Sequence, residues 1–250
     1  MTIFKYSELR KFFKYVANHC NVTSLSDWDG SNGLILRHDI DLDIQAAYRL
    51  ALLEREENIC STFFVLMSCH TYNPLSLENR KMLREMSGMG FEIALHFDPL
   101  IYTDFSLEYL QQKVDWEANL LSEIIETSVR SISLHNPSVH EMYPIFAEYN
   151  NAYDSRIFSS ERYLSDSRML FKHDVYEFVK KSSSQPIQLL LHPMHYTEEG
   201  NNYLEIFSKF IVDSIDRKID TPFRVNSTYK KAIEATGGNL VQYLSEVLNR

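Results

Sequence analysis

The sequence predicts an α/β fold built on a parallel sheet, and three observations lead to that class. Short apolar runs alternate with longer amphipathic stretches from about residue 33 onward, which indicates repeated strand–helix units. Such units over 250 residues favour parallel strands, arranged either as a (β/α) barrel or as an open doubly wound sheet. No interior stretch is rich enough in Pro, Gly or Ser to mark a boundary. We therefore expect a single domain over residues 1–250.

The strands are predicted where apolar, β-branched and aromatic residues run together without helical spacing. Residues 33–36 and 187–191 are mostly aliphatic, as expected of buried strands. Residues 61–66 combine Thr, Phe and Val, which suit a pleated surface. The other predicted strands are 91–95 and 131–134, with two short ones at 152–155 and 163–167.

The helices are predicted by apolar residues at intervals of three and four and by residues that cap helix ends. Ser76 is suited to begin one helix, and Gly88 and Gly90 are suited to end it. The predicted helices, in chain order, are 6–19, 44–57, 76–86, 106–127, 174–181, 203–217 and 227–249.

The composition and the missing motifs exclude several classes of function. Lys and Arg total 25 against 34 Asp and Glu, and no stretch concentrates positive charge as a nucleic-acid-binding surface must. The apolar runs are far shorter than the roughly 20 residues that cross a bilayer. Residues 1–20 contain no apolar core of a signal peptide, and dinucleotide, P-loop and serine-elbow motifs are missing. We expect a cytoplasmic protein with a small-molecule partner, no nucleic acid and no membrane insertion.

Polar side chains that can do chemistry collect where the predicted strands end. Because the carboxyl ends of parallel strands meet at one face of a barrel, clusters from four strands are expected to lie close together. An Asp-x-Asp pair with two or three histidines is the mixed oxygen and nitrogen ligand set of a divalent metal such as zinc. The residues are Asp39, Asp41 and Asp43 after the first strand, His96 and Asp98 after the third, His135 after the fourth and His192 after the last.

Hydrolysis is the reaction that suits these residues. A metal with three protein ligands and one open position lowers the pKa of bound water and polarises a carbonyl oxygen. The reaction also needs a base for the water proton and an acid for the leaving group. Asp39 and Asp41 are two residues apart and share a face of an extended chain, so one can bind the metal while the other reaches the water. Together with His96 and His192 they match the roles that hydrolysis requires.

Five segments carry a resemblance to a known family: 36–41, 90–98, 133–138, 163–168 and 189–193. In this order they resemble the motifs of the polysaccharide deacetylase superfamily, the NodB-like family-four carbohydrate esterases. The closer resemblance is to its intracellular branch, linked to lipopolysaccharide O-antigen biosynthesis. The resemblance implies a distorted (β/α) barrel of about seven parallel strands. It also implies removal of an acetyl group from a polysaccharide precursor or from a nucleotide-linked or lipid-linked sugar.

The resemblance also implies a role for individual residues. Carried over to this sequence, Asp39 is the base, Asp41 and His96 bind the metal, and His192 is the acid. His135 stands where many members have an arginine that orients the base, so one possible role for it is to position Asp39. Further candidates for binding substrate or orienting the ligands are Arg37, His38, Asp98, Tyr102, Asp166 and Arg168.

The third metal ligand has to come from elsewhere, because the superfamily's second ligand histidine is Leu100 in this sequence. Asp98 could reach the ion through a tight turn, although the proline that follows it limits that turn. Tyr102 would need a depressed pKa to bind as a phenolate. His135 needs no unusual ionisation, so we expect it to complete the set and Asp98 to orient a histidine.

Two other functions compete with a metal-dependent deacetylase. The first is a degenerate homologue that binds a carbohydrate or a nucleotide sugar without turnover. The second is an unrelated Asp/His metal hydrolase such as a phosphoesterase, which would want a second metal or basic groups for the phosphate. Only Arg37 supplies positive charge near the clusters, which favours the deacetylase.

Overall fold

The computed structural model describes residues 3–249 of the chain. These residues form two compact units, which divide between Gly200 and Asn201. All of the described strands belong to the first unit. The prediction of a single domain over residues 1–250 stays a prediction.

The first unit is built around one sheet in which neighbouring strands run parallel. The strands are β1 (Val22–Thr23), β2 (Gly33–Ile40), β3 (Thr62–Leu66), β4 (Glu92–Phe97), β5 (Ser131–Leu134), β6 (Asn150–Asn151), β7 (Tyr163–Ser165) and β8 (Pro186–Leu191). Their order across the sheet is β6-β5-β4-β3-β2-β8-β7, with β1 beside β2. Sequence reasoning missed β1 and placed β6 at 152–155, two residues too late, because both strands are only two residues long.

Helices connect most of the strands, as a parallel sheet requires. Those of the first unit are α1 (Tyr6–His19), α2 (Ile44–Glu56), α3 (Leu77–Gly88), α4 (Leu107–Ile125), α5 (Pro137–His140) and α6 (Val175–Lys180). Capping residues fix several of their starts: the side chain of Asp43 accepts from the backbone of Gln45 at α2, and that of Ser76 from Asn79 at α3. Short 3₁₀ turns follow β4, β7 and β8, at Pro99–Ile101, Ser167–Met169 and Pro193–His195, and another, Lys181–Ser183, follows α6.

The sheet curls until its two sides approach each other. β6 and β8 are five positions apart in the strand order, which is about 24 Å in a flat sheet at roughly 4.8 Å per strand. Even so, Nε2 of Gln188 on β8 donates a hydrogen bond of 2.9 Å to the carbonyl oxygen of Ala152, directly after β6. This contact requires a barrel-like curvature. The predicted fold class, α/β with a distorted barrel of about seven parallel strands, is confirmed.

Alternation along the strands separates two layers of core. On β2, Leu34 and Leu36 pack in the large core shared with the helices, whereas Ile35 packs in a small core inside the curled sheet. Since successive side chains point to opposite faces, Arg37 and Asp39 share the inner face with Ile35. Arg37 and Asp39, near the carboxyl end of β2, therefore point into the barrel and do not interrupt the outer core.

The second unit contains α7 (Tyr203–Ser214), a π-helical turn (Ile215–Asp220), α8 (Thr221–Phe223), α9 (Ser227–Ala235) and α10 (Leu240–Leu248). The prediction of a single helix over 227–249 is wrong, because the helical conformation is interrupted between α9 and α10. Gly237 and Gly238 adopt φ angles of 94° and 77°, which end one helix and are accessible at little cost only to glycine. Within residues 3–249, the helices are too short or too polar to cross a bilayer.

Candidate metal centre

The five central candidates lie at one end of the barrel and on its inner face. The residues two and four positions before His96, His135 and His192 are buried, and they lie on β4, β5 and β8 respectively. The same period of two leads from Ile35 on β2 to Asp39 and Asp41. Because the period of a strand is two, each of these side chains is directed into the barrel rather than at the helices.

Three of these side chains bring donor atoms to within coordination distance of a common point. Nε2 of His96 lies 3.2 Å from Oδ1 of Asp41, and Nδ1 of His135 lies 3.5 Å from that oxygen. The two histidine nitrogens are 3.3 Å apart. Three ligands about 2.0–2.1 Å from a tetrahedral zinc ion lie roughly 3.3–3.4 Å from one another. The triangle of donors thus has the dimensions of one face of a zinc coordination tetrahedron.

The electrostatics of this cluster also suit a cation. Oδ1 of Asp41 is buried and faces the two histidine nitrogens. Burial alone would raise the pKa of Asp41, but His135 and His96 beside it hold that pKa well below its usual range. A carboxylate that stays charged next to two imidazole nitrogens is a donor set that divalent zinc accepts.

Asp39 lies beside this cluster without belonging to it. Its Oδ2 is 3.9 Å from Nε2 of His96 and accepts hydrogen bonds from Nη2 of Arg37 at 3.2 Å and Oγ of Ser133 at 3.4 Å. Its Oδ1 is buried and has no hydrogen-bond partner among the described residues. One carboxylate oxygen is therefore fixed, and the other is available to accept a proton.

The guanidinium of Arg37 is buried inside the barrel and surrounded by polar and aromatic side chains. Besides Asp39, it donates to Oε1 of Gln188 at 3.3 Å and to the hydroxyl of Tyr153 at 3.1 Å. Its central carbon lies 5.0 Å from the ring centre of Tyr153 and 5.8 Å from that of Tyr163. Such a fully buried cation keeps its charge only because it is paired and hydrogen-bonded.

His192 follows β8, which pairs with β2 along the edge opposite to β3. Its Nδ1 donates to Oδ1 of Asp166 at 2.6 Å, and its Nε2 lies 3.7 Å from Oδ2 of Asp41. Burial alone would lower the pKa of His192, but the charge and the hydrogen bond of Asp166 raise it to about 9. The ring is therefore protonated at neutral pH and presents Nε2–H toward the cluster.

Asp166 forms a second group of possible ligands with His192 and His195. Its Oδ2 accepts from the hydroxyl of Tyr196 at 3.0 Å, and Nδ1 of His195 lies 3.1 Å from the same oxygen. The 2.6 Å contact between Asp166 and His192 is the length of a charge-assisted hydrogen bond and is well short of the spacing between two metal ligands. This group suits a hydrogen-bonded support for His192 better than a metal site.

Three other sequence candidates hydrogen-bond to groups outside the cluster. His38 points to the outer face of β2, where its Nε2 is 2.6 Å from Oε1 of Glu54 on α2. Asp98 accepts from the backbone of Leu100 at 2.9 Å, which caps the 3₁₀ turn after β4. Tyr102 donates to Oε1 of Glu117 on α4 at 2.6 Å.

Arg168 is exposed and sits in the turn directly after Asp166. Its φ of 61° and the φ of 54° at Met169 place two consecutive residues in the left-handed region. Such strain in non-glycine residues is concentrated at functional sites. The arginine remains a candidate for contact with substrate.

Sequence reasoning missed several residues of this site. His195 and Tyr196 support Asp166, while Tyr153 and Gln188 surround Arg37. The spacing of His195, three residues after His192, is a signal that could have been used. Tyr153 lies in the least regular part of the sequence, and its contact depends on the curl of the sheet, so no local pattern could reveal it.

A comparison with protein-family models gives no match for this chain, and a comparison with curated proteins gives none either. Solved structures do show likeness. A mutant of a CE4 family pseudoenzyme with restored enzymatic activity is 13% identical, with a TM-score of 0.44 over 72% of this chain and 62% of that one. The wild-type pseudoenzyme, from Bacillus anthracis, is 12% identical, with a TM-score of 0.41 over 72% and 60%.

Two further solved structures are similar at the same level. The chitin deacetylase from the fungal pathogen Colletotrichum lindemuthianum is 11% identical, with a TM-score of 0.45 over 75% of this chain and 84% of that one. A family 4 acetyl xylan esterase from Clostridium thermocellum, in complex with a cobalt ion, is 14% identical, with a TM-score of 0.39 over 74% and 84%. The chain spans about 60% of the length of the pseudoenzyme structures.

Proposed function

We propose that this protein is a metal-dependent hydrolase that removes an acetyl group from an acetylated sugar. The observation that carries the proposal is the spacing of Asp41, His96 and His135, whose three donor atoms lie 3.2–3.5 Å apart at the mouth of the barrel. A zinc ion held there supplies a Lewis acid for the acetyl carbonyl and lowers the pKa of a bound water. The acetylated sugar itself is taken from the resemblance of the sequence motifs.

Asp39 is proposed as the base. Its Oδ1 has no hydrogen-bond partner among the described residues and can take a proton from the attacking water. Its Oδ2 is fixed by Arg37, so the free oxygen keeps one orientation. The water oxygen then forms a bond to the carbonyl carbon while its proton passes to Asp39.

His192 is proposed as the acid. It is protonated at neutral pH because Asp166 raises its pKa to about 9. As the bond between the carbonyl carbon and the sugar nitrogen or oxygen breaks, Nε2 of His192 gives its proton to that leaving atom. The products are acetate and a sugar with a free amino or hydroxyl group.

The substrate and its location extend this proposal. We expect a nucleotide-linked or lipid-linked sugar in the cytoplasm, as the resemblance to the O-antigen branch implies, rather than an insoluble extracellular polymer. Soluble acetamido sugars should be deacetylated, and turnover of insoluble peptidoglycan alone would count against the proposal.

The test combines metal content with turnover. We expect the wild-type protein to hold one zinc ion and to release acetate from an acetamido sugar. Asp39→Asn and His192→Ala should keep the zinc and lose roughly 10²–10⁴-fold in rate, the usual range for general acid–base groups. Loss of zinc in both variants would reassign these residues as ligands. Binding of sugar with no acetate release by the zinc-loaded wild type would identify a binding protein without turnover.

A further inference from the structure

The loop between β3 and α3 contacts the segment of chain that carries the first proposed metal ligand. This β3 loop, residues 67–76, begins at the carboxyl end of β3, which lies beside β2 in the sheet. Three of its side chains donate hydrogen bonds to three consecutive backbone carbonyls at and after the end of β2. The bonds run from the hydroxyl of Tyr72 to Ile40 at 2.8 Å, from the thiol of Cys69 to Asp41 at 3.5 Å and from the hydroxyl of Thr71 to Leu42 at 2.7 Å. One loop therefore holds the backbone on both sides of the ligand as well as at the ligand itself.

Asp41 depends on such contacts more than the two histidine ligands do. His96 lies on β4 and is paired with β3 on one side and β5 on the other. The backbone N–H of His135 continues that ladder by donating to the carbonyl of Phe97 at 2.8 Å. The pairing of β2 with β3 ends at Ile40, one residue before Asp41, and its pairing with β8 ends earlier still. Asp41 thus stands in the turn that leads to α2, beyond the residues that the sheet ladder fixes.

Tyr72 relates the position of Asp41 to that of His96. The side chain is only 5% exposed, and its hydroxyl also accepts a hydrogen bond of 2.8 Å from the backbone N–H of Leu66. Leu66 ends β3 and is the residue paired with His96 on β4. A single hydroxyl therefore joins the residue before one ligand to the sheet partner of another.

We propose that the β3 loop positions Asp41 for metal binding, with Cys69, Thr71 and Tyr72 as its positioning residues. This inference rests on the metal centre of the proposed function and names residues that act on it through the backbone. A ligand that is already oriented in the free protein loses less conformational freedom when the ion binds, so the ion is bound more tightly. The three side chains act on the affinity for metal through Asp41 and need no contact with the ion.

Thr71 offers the most direct test, because its hydroxyl can be removed or kept with little change in size. Thr71→Val replaces the hydroxyl with a methyl group, and Thr71→Ser keeps it. Zinc affinity is measured by competition with a chromophoric chelator. Thr71→Val should bind zinc about 10-fold more weakly than the wild type, the lower end of the usual effect of removing a group that orients a metal ligand. Thr71→Ser should bind zinc as tightly as the wild type.

The other two donors give further variants of graded effect. Tyr72→Phe should weaken zinc binding at least as much as Thr71→Val, because both hydrogen bonds of the Tyr72 hydroxyl are lost. Cys69→Ala should weaken it less, because a thiol is a weak donor and this one also lies 3.1 Å from the hydroxyl oxygen of Thr71. Wild-type zinc affinity in both Thr71→Val and Tyr72→Phe would overturn the proposal.

Thr62→Val is the control for a loss of stability alone. Thr62 begins β3 at the opposite end of the sheet, where its hydroxyl donates to Oε2 of Glu92 at 2.8 Å and accepts from the backbone N–H of Leu25 at 2.8 Å. Urea unfolding of the zinc-free proteins measures how much stability each variant loses. Thr62→Val should be less stable than the wild type and keep its zinc affinity. If Thr62→Val weakened zinc binding as much as Thr71→Val, the effect would follow from stability and the proposed role of the β3 loop would be wrong.

Zinc affinity and acetate release together separate this proposal from the proposed function. If the wild type binds zinc and releases no acetate, the hydrolase is refuted, and the zinc affinities of the variants still decide the role of the β3 loop. If the wild type releases acetate and the variants bind zinc as it does, the β3 loop has no positioning role and the hydrolase stands. A wild-type protein that binds no zinc would overturn both.

Discussion

Arg37 and Asp39 lie two residues apart on the inner face of β2, and Nη2 of the arginine donates a hydrogen bond of 3.2 Å to Oδ2 of the aspartate. Both side chains are almost entirely buried. The resemblance implies that an arginine orients the base from the position that His135 occupies in this chain. In this chain Asp39 receives an arginine from its own strand, and His135 contacts Asp41 and His96 instead.

This relationship predicts that Arg37 sets the rate through the orientation of Asp39. Arg37→Lys keeps the positive charge but replaces a planar fork with a point charge, so the free oxygen of Asp39 loses its fixed direction. We expect kcat to fall about 100-fold, as small misplacements of reacting groups do, with KM and zinc content little changed. Rates and zinc content are measured side by side.

The control for this prediction is Tyr153→Phe, which removes one acceptor from Arg37 and leaves the contact with Asp39. Its rate should stay close to that of the wild type. A normal kcat in Arg37→Lys would show that Asp39 needs no arginine. Loss of zinc in that variant would show that the arginine supports the metal ligands as well.

The third metal ligand is tested by a pair of alanine variants. His135→Ala removes a nitrogen that lies 3.3 Å from Nε2 of His96, so zinc should be lost or bound at least 10-fold more weakly. Asp98→Ala removes a carboxylate that caps the turn at Leu100, so zinc content should be unchanged. Dialysed protein is assayed for zinc by atomic absorption. The opposite pattern, with zinc kept in His135→Ala and lost in Asp98→Ala, would make Asp98 the ligand.

The support of His192 by Asp166 predicts a shift in pH dependence. Burial lowers the pKa of His192 and Asp166 raises it to about 9, so removal of the charge in Asp166→Asn should bring that pKa down toward or below its ordinary 6.5. Because a general acid works only when protonated, the alkaline limb of kcat/KM should move to lower pH in the variant. Tyr196→Phe, which removes one hydrogen bond from Asp166, should shift the limb much less. An unmoved limb in Asp166→Asn would remove His192 from the role of acid.

Glu117 on α4 predicts a pH dependence of stability outside the site. Burial raises its pKa from 4.5 to about 7, although the hydroxyl of Tyr102 donates to it. Between these values the folded state holds a proton that the unfolded state has lost. The free energy of unfolding should therefore fall as the pH rises from 4.5 to 7, by about 3 kcal/mol from this group.

Urea unfolding of the wild type and Glu117→Gln at pH 5 and pH 8 measures this contribution. The difference in unfolding free energy between variant and wild type should move in favour of the variant between the two pH values. Histidines that titrate in the same pH range contribute equally to both proteins, so their contribution cancels in this difference. Parallel pH profiles of the two proteins would show that the Glu117 carboxyl has an ordinary pKa.

Much of the fold could be predicted because its signals are local. The run at 131–134 and the helix at 6–19 have the predicted bounds, since apolar spacing alone defines them. The break at Gly237 was missed because apolar residues keep a helical period on both sides of it. The bounds of β6 could not be predicted, since two residues carry no period.

Some features of the candidate site could likewise be predicted from the sequence, and others could not. The clusters at strand ends could be read from the sequence, because parallel strands bring their carboxyl ends to one face. The partners of those clusters could not. Arg37 contacts Gln188 and Tyr153 only because the sheet curls, and Asp98 turns toward Leu100 because the turn after β4 needs its cap.

The alternation along β2 has a consequence for folding. The strand carries two buried pairs that face opposite ways, Arg37 with Asp39 inside the barrel and His38 with Glu54 against α2. A slip of one residue in strand pairing would exchange the two faces, leaving the arginine against the helices and His38 inside the barrel. A slip would separate His38 from Glu54 on α2 and would take Arg37 away from Gln188 and Tyr153, so buried polar groups would lose their partners at a cost of several kcal/mol. The strand thereby rejects incorrect registers from both faces, a selectivity that an all-aliphatic strand of the same length would lack.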